Sequence, residues 1–159
     1  MDPKSILCFG DSNTWGMAPD GSGRLPFETR WPNRLQQILN QPNPNHQSWI
    51  VFEQGLNSRT WVMDDPLGAV TYGGDYSCNG RQDLPIILQS CKPLIVVILA
   101  LGCNDCKSHL NLSPEEITSG KYNVDIDYYR EKQLIRPLTR ILEKLCDNPK
   151  TLFMYNKIV

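Results

Sequence analysis

The sequence predicts an α/β protein in which a parallel sheet lies between layers of helices. Short apolar runs alternate with segments whose apolar residues recur at helical spacing, in the order β-α-β-α-β-α-β. The run Leu94–Leu101 is apolar at every position, which is typical of a parallel strand covered on both faces. Three of the apolar runs also end in glycine and polar residues, as strands do at the ligand-binding edge of such a sheet. Right-handed crossovers between the strands would place helices on both faces.

Composition and charge are those of one globular domain that spans residues 1–159. Hydrophobic residues make up 40% and charged residues 21% of the chain, and the formal net charge is −1. This balance offers no electrostatic basis for a nucleic-acid or anionic-membrane partner. No apolar run approaches the ~20 residues that a bilayer requires, and the N-terminus lacks the apolar segment of a signal peptide. We therefore expect a cytoplasmic protein without nucleic-acid or membrane partners.

Two strands, a helix and a long loop are predicted in the first half of the chain. The strands are Ile6–Phe9 and Trp49–Phe52, and the second ends at Gly55. The helix is Arg30–Asn40. Its predicted buried face carries Trp31, Leu35, Ile38 and Leu39. The segment Leu56–Gly80 is long and irregular, which is typical of a functional loop.

The second half continues the alternation of helices and strands. The predicted elements are a helix at Asp83–Cys91, a strand at Leu94–Leu101, a helix start at Ser113, a loop at Tyr122–Arg130, a helix at Glu131–Cys146 and a strand at Thr151–Tyr155. Ser113 suits a helix cap because proline and two acidic residues follow it directly. The last predicted strand would be an exposed edge, so marginal stability, association into a homo-oligomer or aggregation is expected.

Three strand ends carry residue types that acyl transfer requires. Ser12 follows Gly10 and Asp11 at the end of the first strand and supplies a hydroxyl nucleophile together with its own backbone N–H. Gly55 offers a second unobstructed N–H, and Asn104 offers a side-chain amide. Since all three strand ends face one edge of a parallel sheet, these donors could surround a developing oxyanion.

These residues resemble the first three motif blocks of the SGNH, or GDSL-type, hydrolases. The blocks are Gly10-Asp11-Ser12-Asn13-Thr14-Trp15-Gly16, Gly55, and Gly102-Cys103-Asn104-Asp105. The stretches Arg30-Trp31, Glu53 to Thr60 and Asp64-Asp65-Pro66 are similar to the bacterial arylesterase and acyltransferase branch. The resemblance implies a flavodoxin-like α/β/α sandwich, a cofactor-free mechanism and small carboxylic esters as substrates. It also implies that Ser12 is the nucleophile and that Ser12, Gly55 and Asn104 form the oxyanion hole.

The sequence departs from that family at two points. Asn13 stands where the family usually has leucine. More seriously, no Asp-x-x-His block occurs, so the family's general base and its orienting acid are missing. The histidines are His46 and His109, and His109 stands four residues from Asp105 rather than three. The final strand and helix of the fold, about 30 residues by the size of one crossover unit, are also expected to be missing, as in a fragment, a frameshifted product or a decayed paralogue.

Supporting roles fall to residues near the three strand ends. We expect Asp11 to support the nucleophile, and Trp15, Asn13 and Asp105 to contact substrate. Several of these positions have an alternative interpretation, because tryptophans also fill cores and Asn104 and Asp105 also form turns. Trp31 and Trp61 are open to the same two interpretations, whereas Asp64 and Asp65 are expected at a turn or rim.

The six cysteines and the two histidines favour structural interpretations. Buried free thiols are expected for a chain without an export signal. Cys103 and Cys106 form one Cys-x-x-Cys pair, which leaves a redox or zinc role as an alternative. No second pair accompanies it, so neither a metal nor a cofactor is expected. His46 and His109 are expected at the surface.

The sequence thus supports a serine ester hydrolase of the SGNH class, impaired in this chain because the base is missing. The alternative is a non-catalytic ligand-binding or interaction protein on the same fold, which the missing histidine favours. Hydrolysis dependent on Ser12 would distinguish the first from stoichiometric binding without turnover. A thiol-redox role would first require a perturbed thiol pKa.

Overall fold

A three-stranded parallel sheet forms the centre of the computed structural model, which describes residues 2–42 and 47–117. The strands are β1 (Lys4–Gly10), β2 (Trp49–Gly55) and β3 (Val96–Ala100), in the spatial order β2-β1-β3. Gly10, the last residue of β1, is in register with Gly55 on one side and with Ala100 on the other. The carboxyl ends of all three strands therefore meet at one edge, as the sequence predicts.

The helices connect these strands and vary in length. They are α1 (Ser12–Trp15), α2 (Trp31–Leu39), α3 (Gly68–Thr71) and α4 (Gly80–Ser90). Single 3₁₀ turns occupy Phe27–Thr29, Asn104–Cys106 and Ser108–Leu110. In the part of the chain that the structure describes, no helix is long and apolar enough to cross a membrane.

The sheet buries side chains on both of its faces. On one face, Leu7 and Phe9 pack with Leu84 and Leu88 of α4. On the other face, Ile6, Cys8 and Val51 pack with Leu35 of α2. Successive residues of β1 thus alternate between two cores, which are covered by different helices. This is the α/β/α layering of a flavodoxin-like fold.

Two helices differ in detail from their predicted form. Helix α4 begins at Gly80, three residues before the predicted start, because the Asn79 side chain caps it by accepting from the Arg81 amide. On α2, Leu35 is buried as predicted, and Trp31 and Leu39 pack against the same core. Ile38, which was predicted on this face, is instead 49% exposed. The long segment after β2 is irregular as predicted, although it includes the single turn α3.

The last described residues confirm the predicted helix start at Ser113. The Ser113 hydroxyl accepts from the Glu116 amide at 3.2 Å, and the Glu116 carboxylate accepts from the Ser113 amide at 2.8 Å. This reciprocal pair is a capping box, and 114–117 form the first helical turn. The predictions for Tyr122–Arg130, Glu131–Cys146, Thr151–Tyr155 and His46 lie outside the described residues.

Candidate active site

Ser12 lies at the tip of a tight turn between β1 and α1. Asp11 caps α1, because its carboxylate accepts from the Asn13 amide at 2.9 Å and its carbonyl accepts from the Trp15 amide at 3.0 Å. The Asp11 amide donates to Ala100 at the end of β3, at 3.3 Å. Ser12 is the first residue of α1 and is half-buried. The turn therefore presents the Ser12 hydroxyl at the carboxyl edge of the sheet.

Gly55 supports the turn that carries Ser12. A Cβ atom at Gly55 would lie 2.0 Å from the Trp15 nitrogen and 2.5 Å from the Trp15 Cα. The obstruction is backbone, which cannot rotate away as a flexible side chain could. Glycine at this position thus allows α1 to pack directly on the end of β2.

Asn104 reaches the same edge from the 3₁₀ turn after β3. Gly102 adopts φ +126°, which turns the chain sharply after the strand. The Asn104 side-chain nitrogen donates to the Arg59 carbonyl at 3.0 Å. A primary amide has two N–H groups, so this hydrogen bond orients the side chain while a second N–H stays available to a ligand.

Arg59 lies within the stretch Glu53 to Thr60 that is similar to the arylesterase branch, but the sequence alone assigns it no role. Its guanidinium is buried, and Nη1 donates to the carbonyls of Gly10 at 3.0 Å and Gln54 at 2.7 Å. Nη2 pairs with Asp83 of α4 at 3.2 Å. Burial lowers the pKa of Arg59, and the Asp83 charge opposes that change. No local sequence pattern reveals these contacts, since Arg59 and Gly10 are 49 residues apart.

Two buried acids flank the strand ends. Burial raises the pKa of Asp11, and the hydrogen bond from Asn13 opposes that shift. Burial also raises the pKa of Asp105, whose two oxygens accept from the Trp61 amide at 3.0 and 3.2 Å. Asp105 is 2% exposed. Because its carboxylate binds backbone, the predicted contact between Asp105 and substrate gains no support from this geometry.

The predicted aromatic residues divide between the core and the site. Trp61 is buried in the core beside Phe9, and Trp31 packs in the opposite core. Trp15 is half-buried, and the Arg24 guanidinium carbon lies 4.8 Å from its ring centroid. Asn13 is exposed. Of the residues predicted to contact substrate, Trp15 and Asn13 therefore lie close to Ser12 in sequence and are at least partly exposed to solvent.

Asp65 lies at a turn, one of the two places that the sequence suggested, because its carbonyl accepts from the Gly68 amide at 3.0 Å, but its side chain is fully buried. Lys107 Nζ donates to Asp65 at 2.8 Å, and His109 Nε2 lies 2.8 Å from its other oxygen. Lys107 also donates to the Ser58 hydroxyl at 3.0 Å. Burial favours a higher pKa for Asp65, but the hydrogen bonds from Lys107 and His109 outweigh it and hold that pKa below its usual value.

The described residues contain no general base in contact with Ser12. Within 2–42 and 47–117, the Ser12 hydroxyl has no hydrogen-bond partner, and the ring of His109 is bound to Asp65. His109 is 34% exposed and oriented by a buried carboxylate, but no contact joins it to Ser12. Within the described ranges, the geometry therefore brings the turns that carry Ser12, Gly55 and Asn104 to one edge of the sheet, without a histidine that contacts Ser12.

The cysteines are split between the core and the surface. Cys8, Cys78 and Cys91 are buried free thiols, as predicted, whereas Cys103 and Cys106 are exposed. Burial also raises the pKa of Cys103, which disfavours the reactive thiolate. Over the described ranges, no group of three or more candidate ligands could hold a metal ion.

A shallow cavity lies beside the long loop, away from the three strand ends. Its volume is about 390 Å³. The lining includes Asp64, Val70, Tyr76 and Gln82 but none of Ser12, Gly55 and Asn104. It is therefore distinct from the candidate active site.

Solved structures of esterases resemble this chain. A carbohydrate acetylesterase family member from Sinorhizobium meliloti is 35% identical, with a TM-score of 0.65 over 80% of this chain and 54% of that chain. The aryl esterase of M. smegmatis is 38% identical, with a TM-score of 0.62 over 76% and 52% of the two chains. The esterase AlinE4, of the SGNH-hydrolase family, shares the fold at 20% identity and a TM-score of 0.57, over 84% and 57%.

The matched region is a little over half of those esterases. This chain spans about half the length of the solved structures it matches. No family model and no curated protein matches the chain. The likeness is therefore shown by solved structures, at 34–38% identity over 76–80% of this chain.

Proposed function

Because this chain belongs to the family of SGNH-type hydrolases, we propose that it is a serine ester hydrolase acting on small carboxylic esters. One observation carries the proposal. Gly10 is in register with both Gly55 and Ala100, so the turns that follow the three strands converge at one edge. Ser12, Gly55 and Asn104 stand on those turns, and each has the chemistry of one part of an acyl-transfer site.

The proposed reaction proceeds through an acyl-enzyme. The Ser12 oxygen bonds to the ester carbonyl carbon while the carbonyl electrons move to the oxygen. When this intermediate collapses, the bond to the leaving alcohol breaks, and the alcohol takes up the proton lost by Ser12. Water then attacks the acyl group in the same way, which releases the acid and restores Ser12.

The oxyanion would be stabilised by the Ser12 amide, the Gly55 amide and the Asn104 side chain. The Arg59 carbonyl holds the Asn104 amide in place before substrate arrives. Such preorganised donors are worth about 3–4 kcal/mol each in the transition state. This stabilisation of the oxyanion does not depend on a general base, so it is available to this chain.

The proton transfer from Ser12 is the step for which this chain has no identified general base. The family's Asp-x-x-His does not occur anywhere in the 159 residues. Nucleophile and base act as a unit, so an unassisted Ser12 retains about 10³–10⁴-fold catalysis over water from binding and the oxyanion hole. We therefore propose Ser12-dependent hydrolysis that is several orders of magnitude slower than that of a complete triad.

Two neighbouring residues are proposed to contact the ester. Trp15 lies three residues after Ser12 and keeps part of its ring accessible, while Asn13 is exposed beside it. An indole face next to the nucleophile suits a flat acyl or aryl group. The neighbouring structures are an aryl esterase and carbohydrate acetylesterases, which is consistent with an ester substrate for this chain.

A second candidate is a ligand-binding protein that uses the same edge without turnover. The observation that favours it is the unpartnered Ser12 hydroxyl, which no described residue activates. In that case the three donors would hold a carboxylate or a similar oxygen anion. Both candidates share the site, and they differ in whether a bond to Ser12 forms.

Hydrolysis of p-nitrophenyl acetate by the full chain separates the two candidates. Ser12→Ala removes the nucleophile, and Ser22→Ala serves as the matched control because Ser22 is exposed in a surface loop. We expect a slow rate that Ser12→Ala abolishes and Ser22→Ala leaves unchanged, with one acetyl group trapped on Ser12 by mass spectrometry. Equal rates for wild type and Ser12→Ala would overturn the esterase proposal.

A further inference from the structure

Arg59 contacts the backbone next to each member of the proposed site. Its Nη1 donates to the Gly10 carbonyl, two residues before Ser12, at 3.0 Å. The same nitrogen donates to the Gln54 carbonyl, one residue before Gly55, at 2.7 Å. Its own carbonyl accepts from the Asn104 side chain at 3.0 Å. One residue thus connects the ends of β1 and β2 with the turn after β3.

The guanidinium is held in a single orientation. It lies over the Phe9 ring with Cζ 4.1 Å from the centroid. Nε and Nη2 face Asp83 on α4, at 3.3 and 3.2 Å from the same carboxylate oxygen. A planar guanidinium that is held from several directions keeps its hydrogen-bond partners in a fixed geometry, whereas the flexible ammonium of lysine does not.

The carbonyls that Arg59 contacts lie where the sheet ladder ends. The Gly10 carbonyl also accepts from the Leu56 amide at 3.1 Å, so Arg59 and Leu56 together close the gap between the ends of β1 and β2. Arg59 is 4% exposed. Its loss would leave buried carbonyls without this donor and would free the turns that carry Ser12 and Gly55 to move relative to Asn104.

We infer that Arg59 is the positioning residue of the site and fixes the spacing of Ser12, Gly55 and Asn104. The inference rests on the proposed esterase function of these three residues. Arg59 itself touches no substrate, and its effect passes through the backbone of β1 and β2 and through the Asn104 amide. Asp83 holds the guanidinium in place from α4.

The first test compares Arg59→Lys and Arg59→Met with Asn40→Ala as a matched control. The Asn40 side chain also closes a strand end, because it accepts from the Trp49 amide and donates to the Trp49 carbonyl at 2.9 Å each, but at the opposite end of β2. All variants are assayed with p-nitrophenyl acetate below their thermal midpoints. A displacement of about 1 Å at a reacting group costs about 10²-fold in rate.

We expect both Arg59 variants to lose about 10²-fold in kcat with little change in KM. Asn40→Ala should lower the melting temperature and keep the wild-type kcat. Lysine should not rescue the rate, because it cannot reproduce the fork that meets two carbonyls and Asp83 together. Arg59 variants that retain the kcat of Asn40→Ala at matched stability would overturn the inference.

Hydrogen exchange keeps this test separate from the esterase proposal. The Leu56 amide reports directly on the junction between β1 and β2 that Arg59 closes, and the Asp11 amide, which donates to Ala100, reports on the adjoining junction between β1 and β3. If Ser12→Ala shows that the chain has no Ser12-dependent turnover, faster exchange at these amides in Arg59→Lys than in Asn40→Ala still supports the positioning role. Equal exchange in the two variants refutes it. If the Arg59 variants fail to fold, Asp83→Asn provides the same comparison, with the expected acceleration at Leu56 and no change at Trp49.

Discussion

Gly55→Ala is expected to reduce catalysis by moving Ser12, although it removes none of the proposed catalytic groups. The new Cβ would lie 2.0 Å from the Trp15 nitrogen, whereas ordinary van der Waals contact begins at 3.4 Å. Helix α1 must therefore retreat by about 1.4 Å, the difference between those two distances. The Thr14 carbonyl carbon, at 2.5 Å, obstructs the same Cβ, so rotation of one side chain cannot relieve the contact.

The magnitude follows from that displacement. Overpacking in a close-packed site costs about 1–3 kcal/mol of folding stability. Because α1 begins at Ser12, the retreat displaces the Ser12 hydroxyl relative to the Asn104 amide, and a shift of this size costs about 10²-fold in rate. We therefore expect kcat to fall about a hundredfold.

The assay is p-nitrophenyl acetate hydrolysis with the melting temperature measured in parallel. Gly21→Asn is the matched control, because Gly21 has open space around its Cβ position and a φ of +73° that asparagine tolerates. The control should keep the wild-type rate. A Gly55→Ala protein with both the wild-type kcat and the wild-type melting temperature would show that α1 does not pack on Gly55 in this way.

Two further substitutions test other parts of the structure. Asp65→Asn should destabilise the protein near neutral pH, because the carboxylate binds Lys107 and His109 and has a folded-state pKa below its usual value. Such a group stabilises above its unfolded pKa of about 3.9, and that contribution disappears as the pH falls through the lower folded pKa. The melting temperatures of wild type and Asp65→Asn should thus converge in acid, and a constant difference at all pH values would contradict this. Cys103→Ser should leave Ser12-dependent hydrolysis unchanged, because burial raises the pKa of Cys103 and disfavours its thiolate. A loss of the rate in this variant would revive the thiol-redox alternative.

The elements that the sequence predicted well are those with a strong local pattern. Strands β1, β2 and β3 were located within three residues at each end, because a short uninterrupted apolar run between turn residues is typical of a buried strand. The start of α4 was missed because its cap is Asn79, whose side chain is held by the Val62 carbonyl. Asparagine is a common cap residue, but the first helical turn after it, Gly80-Arg81-Gln82, contains no apolar residue that would extend the helical periodicity back to Asn79.

The residues of the candidate site likewise divide into those that a local sequence pattern identifies and those that only tertiary contacts explain. Ser12, Gly55 and Asn104 were selected because polar residues follow apolar strands, and the register of Gly10 with Gly55 and Ala100 places those strand ends together. Their catalytic roles remain predictions that the Ser12 and Arg59 experiments test. Asp65 was expected at a turn or rim, and it does begin a turn. Only the approach of Lys107 and His109, from 42 and 44 residues away, makes the burial of its side chain tolerable.

The sequence by itself determined the α/β class, the parallel strands and the residues that stand at their ends, because these depend on short-range periodicity and on glycine at tight turns. Only the tertiary structure decided that Arg59 would join those ends and that Asp65 would be paired from a distant turn. Burial of a charged group depends on partners supplied by the whole fold, and no pattern of neighbouring residues contains that information.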